Sequence, residues 1–157
     1  MRSAVPFSLL FFLALSAGAN HQNNDRYAEF KKKHILPADF QTNKEAAWWN
    51  HLVNNCLCGR TEVQSFIMDT EEKIKKICNG AGKKTKDNYV KSNNPFQVYK
   101  IESKNETSEM SWKCIIEKCH TANYHVIVQC EDKLPVHYHD QHAENKQKDR
   151  NCFYNMI

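Results

Sequence analysis

The sequence predicts an α+β domain. Helical patterns fall early in the chain, alternating strands fall late, and no regular βαβ repeat connects them. Seven cysteines in 157 residues supply the third observation, because so many point to disulfide bridging in an oxidising compartment. The odd count leaves at least one thiol unpaired within the chain. With 41% hydrophobic residues, 25% charged residues, four Gly and four Pro, the chain fits one globular domain. Collagen-like, low-complexity and strongly disordered classes are excluded.

The N-terminus is set apart first. Met1-Arg2 is a basic start, Val5 to Leu15 is apolar apart from Pro6 and Ser8, and Ala17-Gly18-Ala19 supplies small residues where a signal peptidase cuts. Residues 1–19 are expected to be a secretory signal peptide, too short for a membrane anchor. The product is then extracellular, with a domain over residues 20–140 and a C-terminal extension over 141–157. Without residues 1–19, which carry one arginine and no acid, the formal net charge falls from +4 to +3. That mild excess tolerates a polyanion or an anionic surface without requiring one.

Tyr27, Phe30 and His34 share one face of a short helix, with Asp25 as its cap and Pro37 beyond its end. A second helix is expected over Lys44 to Val53, around Ala46-Ala47-Trp48-Trp49. A third follows Asp69 or Thr70, with Glu71/Lys75 and Glu72/Lys76 at the favourable i, i+4 spacing. Strands are expected over Val63 to Met68, Phe96 to Ile101, Tyr124 to Cys130 and Leu134 to Tyr138, the last after a turn at Asp132-Lys133. Asn105-Glu106-Thr107 is an N-glycosylation sequon, read as a surface loop. The tail from Gln141 to Asn151 is polar and reads as loose, before apolar character returns at Cys152-Phe153-Tyr154. Cys56-Leu57-Cys58 and Cys114 with Cys119-His120 lack zinc-ligand spacing, so no metal is expected.

Two of the eight histidines stand in unusual contexts. His34 lies on the apolar stripe of the first helix, directly after Lys31-Lys32-Lys33. His137 lies in the strand Leu134-Pro135-Val136-His137-Tyr138. Each alone reads as an ordinary packed histidine, and spacing does not bring them together.

The segments carrying them resemble a known family. Phe30-Lys31-Lys32-Lys33-His34 is similar to the first helix of the pancreatic-type ribonuclease (RNase A) superfamily. Cys130 followed by Pro135-Val136-His137-Tyr138 is similar to its last strand, and Ser65-Phe66-Ile67 to its central Thr-Phe-Ile/Val. The resemblance spans nearly all of the chain beyond residue 19 and sits nearer fish and amphibian members. It implies three short helices on a bent antiparallel sheet and an endoribonuclease without metal or cofactor. His34 would be the general base toward a ribose 2′-OH, and His137 the general acid toward the departing 5′-oxygen. Single-stranded RNA would be cleaved after pyrimidines through a 2′,3′-cyclic phosphate, and DNA excluded for want of a 2′-OH. Lys33, Ser65 and Tyr138 would contact substrate.

The chain departs from this pattern where the family carries a lysine after a cysteine. Counted from Cys58 that position is Gly59; counted back from Phe66 it is Thr61. Arg60, between them, is the candidate cation, although a forked guanidinium differs from a compact ammonium. His139 stands where many members have an Asp that orients the acid histidine. The family framework implies Cys78–Cys130 and Cys58–Cys114, with Cys56 as the alternative partner of Cys114. A C-terminal clamp like that of frog members implies Cys119–Cys152. Cys56 is then a free thiol or the link of a disulfide-bonded dimer, in place of a monomer. One family bridge is missing, with Trp49 and Ile101 near its two halves as an apolar substitute. A second reading keeps the fold and drops catalysis: a secreted cationic protein binding anionic cell-surface glycans or membranes, in host defence or the reproductive tract.

Overall fold

The computed structural model describes residues 8–144 and 148–153, with side chains from residue 21 onward. Helix α1 spans Ser8–His34, α2 Glu45–Asn54 and α3 Glu71–Lys76. Seven strands make one antiparallel sheet: β1 Val63–Ile67, β2 Gly82–Lys84, β3 Tyr89–Ser92, β4 Phe96–Ser108, β5 Ser111–Glu131, β6 Leu134–Ala143 and β7 Arg150–Asn151. The fold is α+β and disulfide-bridged, as the sequence predicts.

Strand β5 is the spine. Its first two thirds pair with β4, from Ser108↔Ser111 to Phe96↔Tyr124, with a register shift at Glu102/Ser103. Its last third pairs with β3 at residues 127–129 and with β6 at 124–131. Asp132 and Lys133 link β5 to β6 with φ of 47° and 63°. Two successive left-handed residues match the twist of a two-residue hairpin, which is why a polar pair sits there. A hairpin over β2 and β3 extends the sheet beyond β5 and was not legible in the sequence.

Two apolar clusters share this sheet. Phe30, Ile35, Ile67, Ile74, Ile77, Val98, Val126 and Val128 pack beneath α1 and α3. Leu36, Trp48, Leu52, Leu57, Phe66, Tyr99 and Ile101 pack beneath α2. Bridges Cys78–Cys130, Cys58–Cys114 and Cys119–Cys152 tie α3, the α2–β1 loop and the C-terminal segment to β5, leaving Cys56 as an exposed free thiol. Among the described residues, no helix is long and apolar enough to cross a membrane.

Several local expectations need correction. Asp25 does not cap a helix starting at Tyr27: it lies inside α1 and its carboxylate meets His21 one turn earlier. The helix also runs unbroken through residue 19, while residues 1–7 of the expected signal peptide lie outside the described residues. Trp48, not Trp49, is fully buried in the cluster with Ile101, and Trp49 is exposed, because the buried face of α2 follows Trp48 and Leu52 at i, i+4. Glu72 and Lys76 form no ion pair among the described residues; Glu71 instead meets Lys31, Lys75 and the Tyr27 hydroxyl.

The sequon also sits differently. Asn105 lies within β4 opposite Cys114, exposed but not in a loop, and its amide donates to the Cys58 carbonyl at 2.9 Å. Nor is the tail loose throughout. Strand β6 continues to Ala143, across the expected boundary at residue 140, and β7 pairs with β5 at His120 and Thr121. Asp149 meets Lys100 and accepts a 2.5 Å hydrogen bond from the Tyr124 hydroxyl.

Candidate active site

Three elements converge on one open cleft of about 470 Å³. Helix α1 contributes Glu29, Phe30, Lys33 and His34; the entry to β1 contributes Arg60, Thr61, Val63, Gln64 and Ser65; and β6 contributes Val136 to Gln141. His34 and His137, more than a hundred residues apart in the chain, therefore line the same cavity.

Helix α1 sets His34. Phe30 is buried one turn earlier, and a parallel bridge between Ile35 and Ile67 fixes the end of the helix against β1. The Nδ1 of His34 lies 2.9 Å from the Ser65 carbonyl oxygen. A carbonyl only accepts, so Nδ1 carries the proton and Nε2 keeps its lone pair. The Tyr138 ring stacks on the imidazole with centroids 5.0 Å apart and planes at 23°. Burial, reinforced by the charges of Arg60, His137 and Lys33 against the opposing Ser65 bond, holds the His34 pKa down at about 4. His34 is thus a neutral base at neutral pH.

Strand β6 sets His137 by a different device. The pairing jumps from Cys130↔Pro135 to Gln129↔His137, and from Val128↔Tyr138 to Ile127↔Asp140, leaving Val136 and His139 as extra residues. Such bulges turn side chains out of the ordinary alternation, and two of them bracket His137-Tyr138. His137 is exposed, and partial burial followed by the charges of His139, Arg26 and Arg60 lowers its pKa. His139 is therefore the reverse of an orienting carboxylate: it opposes the imidazolium that a general acid requires. Its ring lies 4.3 Å from that of Tyr89, on the far side of β5 from the end of β6. Asp140 is engaged elsewhere, 3.6 Å from His142.

The ambiguity over the missing lysine has a geometric answer. Gly59 has φ of +63°, and a Cβ built there would lie 3.0 Å from the Asn105 backbone nitrogen, so a lysine at Gly59 is strained and crowded. Gly59 does not line the cleft, whereas Arg60 and Thr61 do. Arg60 is exposed, its Nε lies 3.4 Å from the Gln64 side-chain oxygen, and its charge reaches both histidines. Lys33 lines the same cavity, held 3.0 Å from Glu29 one turn earlier. Ser65 lies beside His34, opposite Lys100 in the sheet.

Gln64 escaped the sequence reading. It is buried, its amide nitrogen donates to the Lys33 carbonyl at 3.3 Å, and its oxygen meets Arg60. It thereby joins the end of α1 to the loop that carries the cation. The available signal was a lone polar residue at a buried position of the alternating strand Val63–Ile67.

No protein-family model and no curated protein matches this sequence. Solved structures do match in fold. SS-RNase-2 is 28% identical over 73% of this chain and 93% of its own, with a TM-score of 0.57. A shortened form of it, des116-120, is 26% identical over 75% and 99%, with a TM-score of 0.61. Zebrafish RNase5 is 23% identical over 74% and 94%, with a TM-score of 0.59. The chain spans nearly the whole of each of these structures and has the RNase A-like fold, here carrying three disulfides of its own.

Proposed function

We propose that this chain is a secreted endoribonuclease that cleaves single-stranded RNA by transesterification between two histidines, with a preference for pyrimidines. The observation that carries the proposal is the Nδ1 hydrogen bond of His34 to the Ser65 carbonyl, in a cleft that His137 shares. It leaves His34 Nε2 as a preorganised base. His34 takes the proton from a ribose 2′-OH, and the 2′-oxygen attacks the adjacent phosphorus. His137 gives its proton to the departing 5′-oxygen, and a 2′,3′-cyclic phosphate remains. Water opens that ring with the two roles exchanged. The requirement for a 2′-OH selects RNA over DNA before any base is read.

Arg60, with Lys33 behind it, supplies positive charge where the phosphorane gains negative charge. The Tyr138 ring and the Ser65 hydroxyl are offered to the base; the serine keeps a hydrogen-bonding group without a methyl. Three disulfides suit an oxidising, extracellular setting, and the signal peptide of residues 1–19 would deliver the chain there. Asn105 is the exposed acceptor for N-glycosylation on that route.

One observation favours a weaker enzyme, or a binding protein for anionic surfaces. Arg60 is the β1-side cation of the cleft, and it is drawn toward Gln64. The deciding assay is release of 2′,3′-cyclic ends from poly(U) and poly(C) by the refolded protein. Turnover that disappears in both His34→Ala and His137→Ala supports catalysis. Wild-type turnover no greater than that of the double variant refutes it and leaves the binding reading.

A further inference from the structure

A second cavity, of about 490 Å³, shares no lining residue with the catalytic cleft. In an antiparallel sheet, residues directly opposite one another project to the same face, and successive residues to opposite faces. Tyr99, Thr121 and Arg150 are successive neighbours across β4, β5 and β7, so they share one face. Gln97, two residues before Tyr99, is on that face too. Ser65, at the cleft, and its neighbour Lys100 belong to the other face. Thr42 and Asn43, from the entry to α2, and the C-terminal segment 148–152 complete the lining.

The fold uses up acceptors here and leaves donors over. Thr121 is only 6% exposed, yet its hydroxyl has no hydrogen-bond partner among the described residues. A buried hydroxyl left unpaired carries a desolvation cost that a bound acceptor relieves. The Gln97 amide donates to the Tyr99 hydroxyl at 2.9 Å, and that hydroxyl donates to Thr42 Oγ1 at 3.3 Å. The Thr42 hydroxyl proton at the end of this chain meets no acceptor among the described residues. Asn151 Oδ1 is taken by the Phe153 N–H, which leaves the Asn151 amide protons.

Charge points the same way. Lys148 and Arg150 are exposed and form no ion pair among the described residues, in contrast to the tethered Lys31, Lys33, Lys100 and Lys118. One acid lines the cavity, Asp149, and its carboxylate is committed to Lys100 and the Tyr124 hydroxyl. Both of those partners lie on the other face of the sheet. The cavity is therefore positive, with two free cations above an unpaired buried hydroxyl.

We propose that this cavity binds a small sugar phosphate. Lys148 and Arg150 meet the phosphate, and Thr121 supplies the buried donor. Asn43 and the Gln97 side-chain oxygen face the sugar hydroxyls. Two cations match the two charges of a phosphate monoester, and the volume suits a ligand of this size. A carboxylate would leave one cation unmatched. The site stands whether or not the cleft is catalytic, since the two share no residue.

The test is calorimetric titration with ribose 5-phosphate, ribose and inorganic phosphate. The protein is the Arg60→Ala/His137→Ala variant, in which the cleft has lost two of its phosphate-binding groups. The expected result is saturable one-to-one binding of ribose 5-phosphate, weaker binding of inorganic phosphate and none of ribose. Adding Lys148→Gln/Arg150→Gln should weaken ribose 5-phosphate by about tenfold or more, as charge-assisted contacts are lost. Thr121→Val keeps the shape, removes the hydroxyl and should weaken binding about fivefold. It should leave Tm unchanged or higher, because the hydroxyl has no partner to lose, whereas a merely structural hydroxyl would lower Tm. No binding of ribose 5-phosphate, or affinity undiminished by Lys148→Gln/Arg150→Gln, overturns the proposal. Equal affinity for inorganic phosphate overturns it in favour of a site for the bare ion.

Discussion

The depressed pKa of His34 ties the base of the proposed reaction to the stability of the fold, and that link can be measured without any substrate. In the unfolded chain His34 titrates near 6.5; in the folded protein burial holds it at about 4. A lowered histidine pKa means that the unfolded state binds the proton more readily. Stability is therefore lost as pH falls below 6.5, and the loss is complete below about 4. The full difference corresponds to about 3 kcal/mol, of which about 2 kcal/mol is lost between pH 7 and pH 4.5. The perturbation is His34→Gln, which can still donate to the Ser65 carbonyl but does not titrate. Urea denaturation of both proteins at the two pH values gives the comparison. Carboxylates held low by their partners, such as Asp149 and Glu71, and the half-buried His51 contribute equally to both proteins and cancel. The variant should lose about 2 kcal/mol less than the wild type on acidification. Equal losses would mean that His34 titrates normally, and the argument for a neutral, preorganised base would be wrong.

The remaining predictions concern the other side chains. The pH profile of kcat/KM should be a bell with its maximum below neutrality, since His34 must be neutral, above about 4, and His137 charged, below a pKa that is itself lowered. His139→Asn should move the descending limb to higher pH by removing one of the charges that disfavour imidazolium, and an unmoved limb would sever His139 from His137. Arg60→Ala should reduce kcat by ~10²–10³ as a lost transition-state contact, read in single-turnover cleavage of poly(C). Thr61→Lys should raise kcat because that position lines the cleft, whereas Gly59→Lys should lower Tm without gain in activity. Replacing Cys119 and Cys152 together by alanine opens a cross-link of sequence separation 33 and should cost up to about 4 kcal/mol in urea, with dinucleotide cleavage unaffected.

Much of the frame was legible because it is local. Apolar spacing in α2 and α3, alternation in β1 and the late strands, and the polar pair at Asp132-Lys133 all follow from short-range preferences that the tertiary structure leaves in place. Where the reading failed, a distant partner had decided the outcome. Asp25 has the chemistry of a helix cap, yet α1 continues through it, and the neighbouring Asn23 and Arg26 reach Asp132 and Glu131 at the β5–β6 turn. Trp49 and Trp48 are indistinguishable by composition, and only the phase of α2 against β1 and β4 chooses between them. The polar tail gave no strand signal because β7 is two residues long and is held by Cys119–Cys152, Lys100 and Tyr124.

The stretch from Cys56 to Thr61 shows how those limits meet at the cleft. Its residues satisfy one another in ways that spacing does not reveal. Cys56 has φ of 56°, Cys58 is bridged to Cys114, and the Gly59 N–H donates to the Ser103 hydroxyl at 3.1 Å. The Cys58 carbonyl accepts from Asn105. These contacts pin the loop to β4 and β5 up to Gly59 and deliver Arg60 and Thr61 to the cleft. Counting forward from a cysteine and counting back from Phe66 disagree because the loop turns at a glycine that no lysine could replace without displacing Asn105. The position that lines the cleft is the one counted back from the strand, Thr61, since β1 rather than the bridge sets the cleft wall. The cation offered by this chain is therefore displaced by one residue and changed in shape. In the proposed reaction that difference would fall on the transition state, while His34 and His137 still line one cavity.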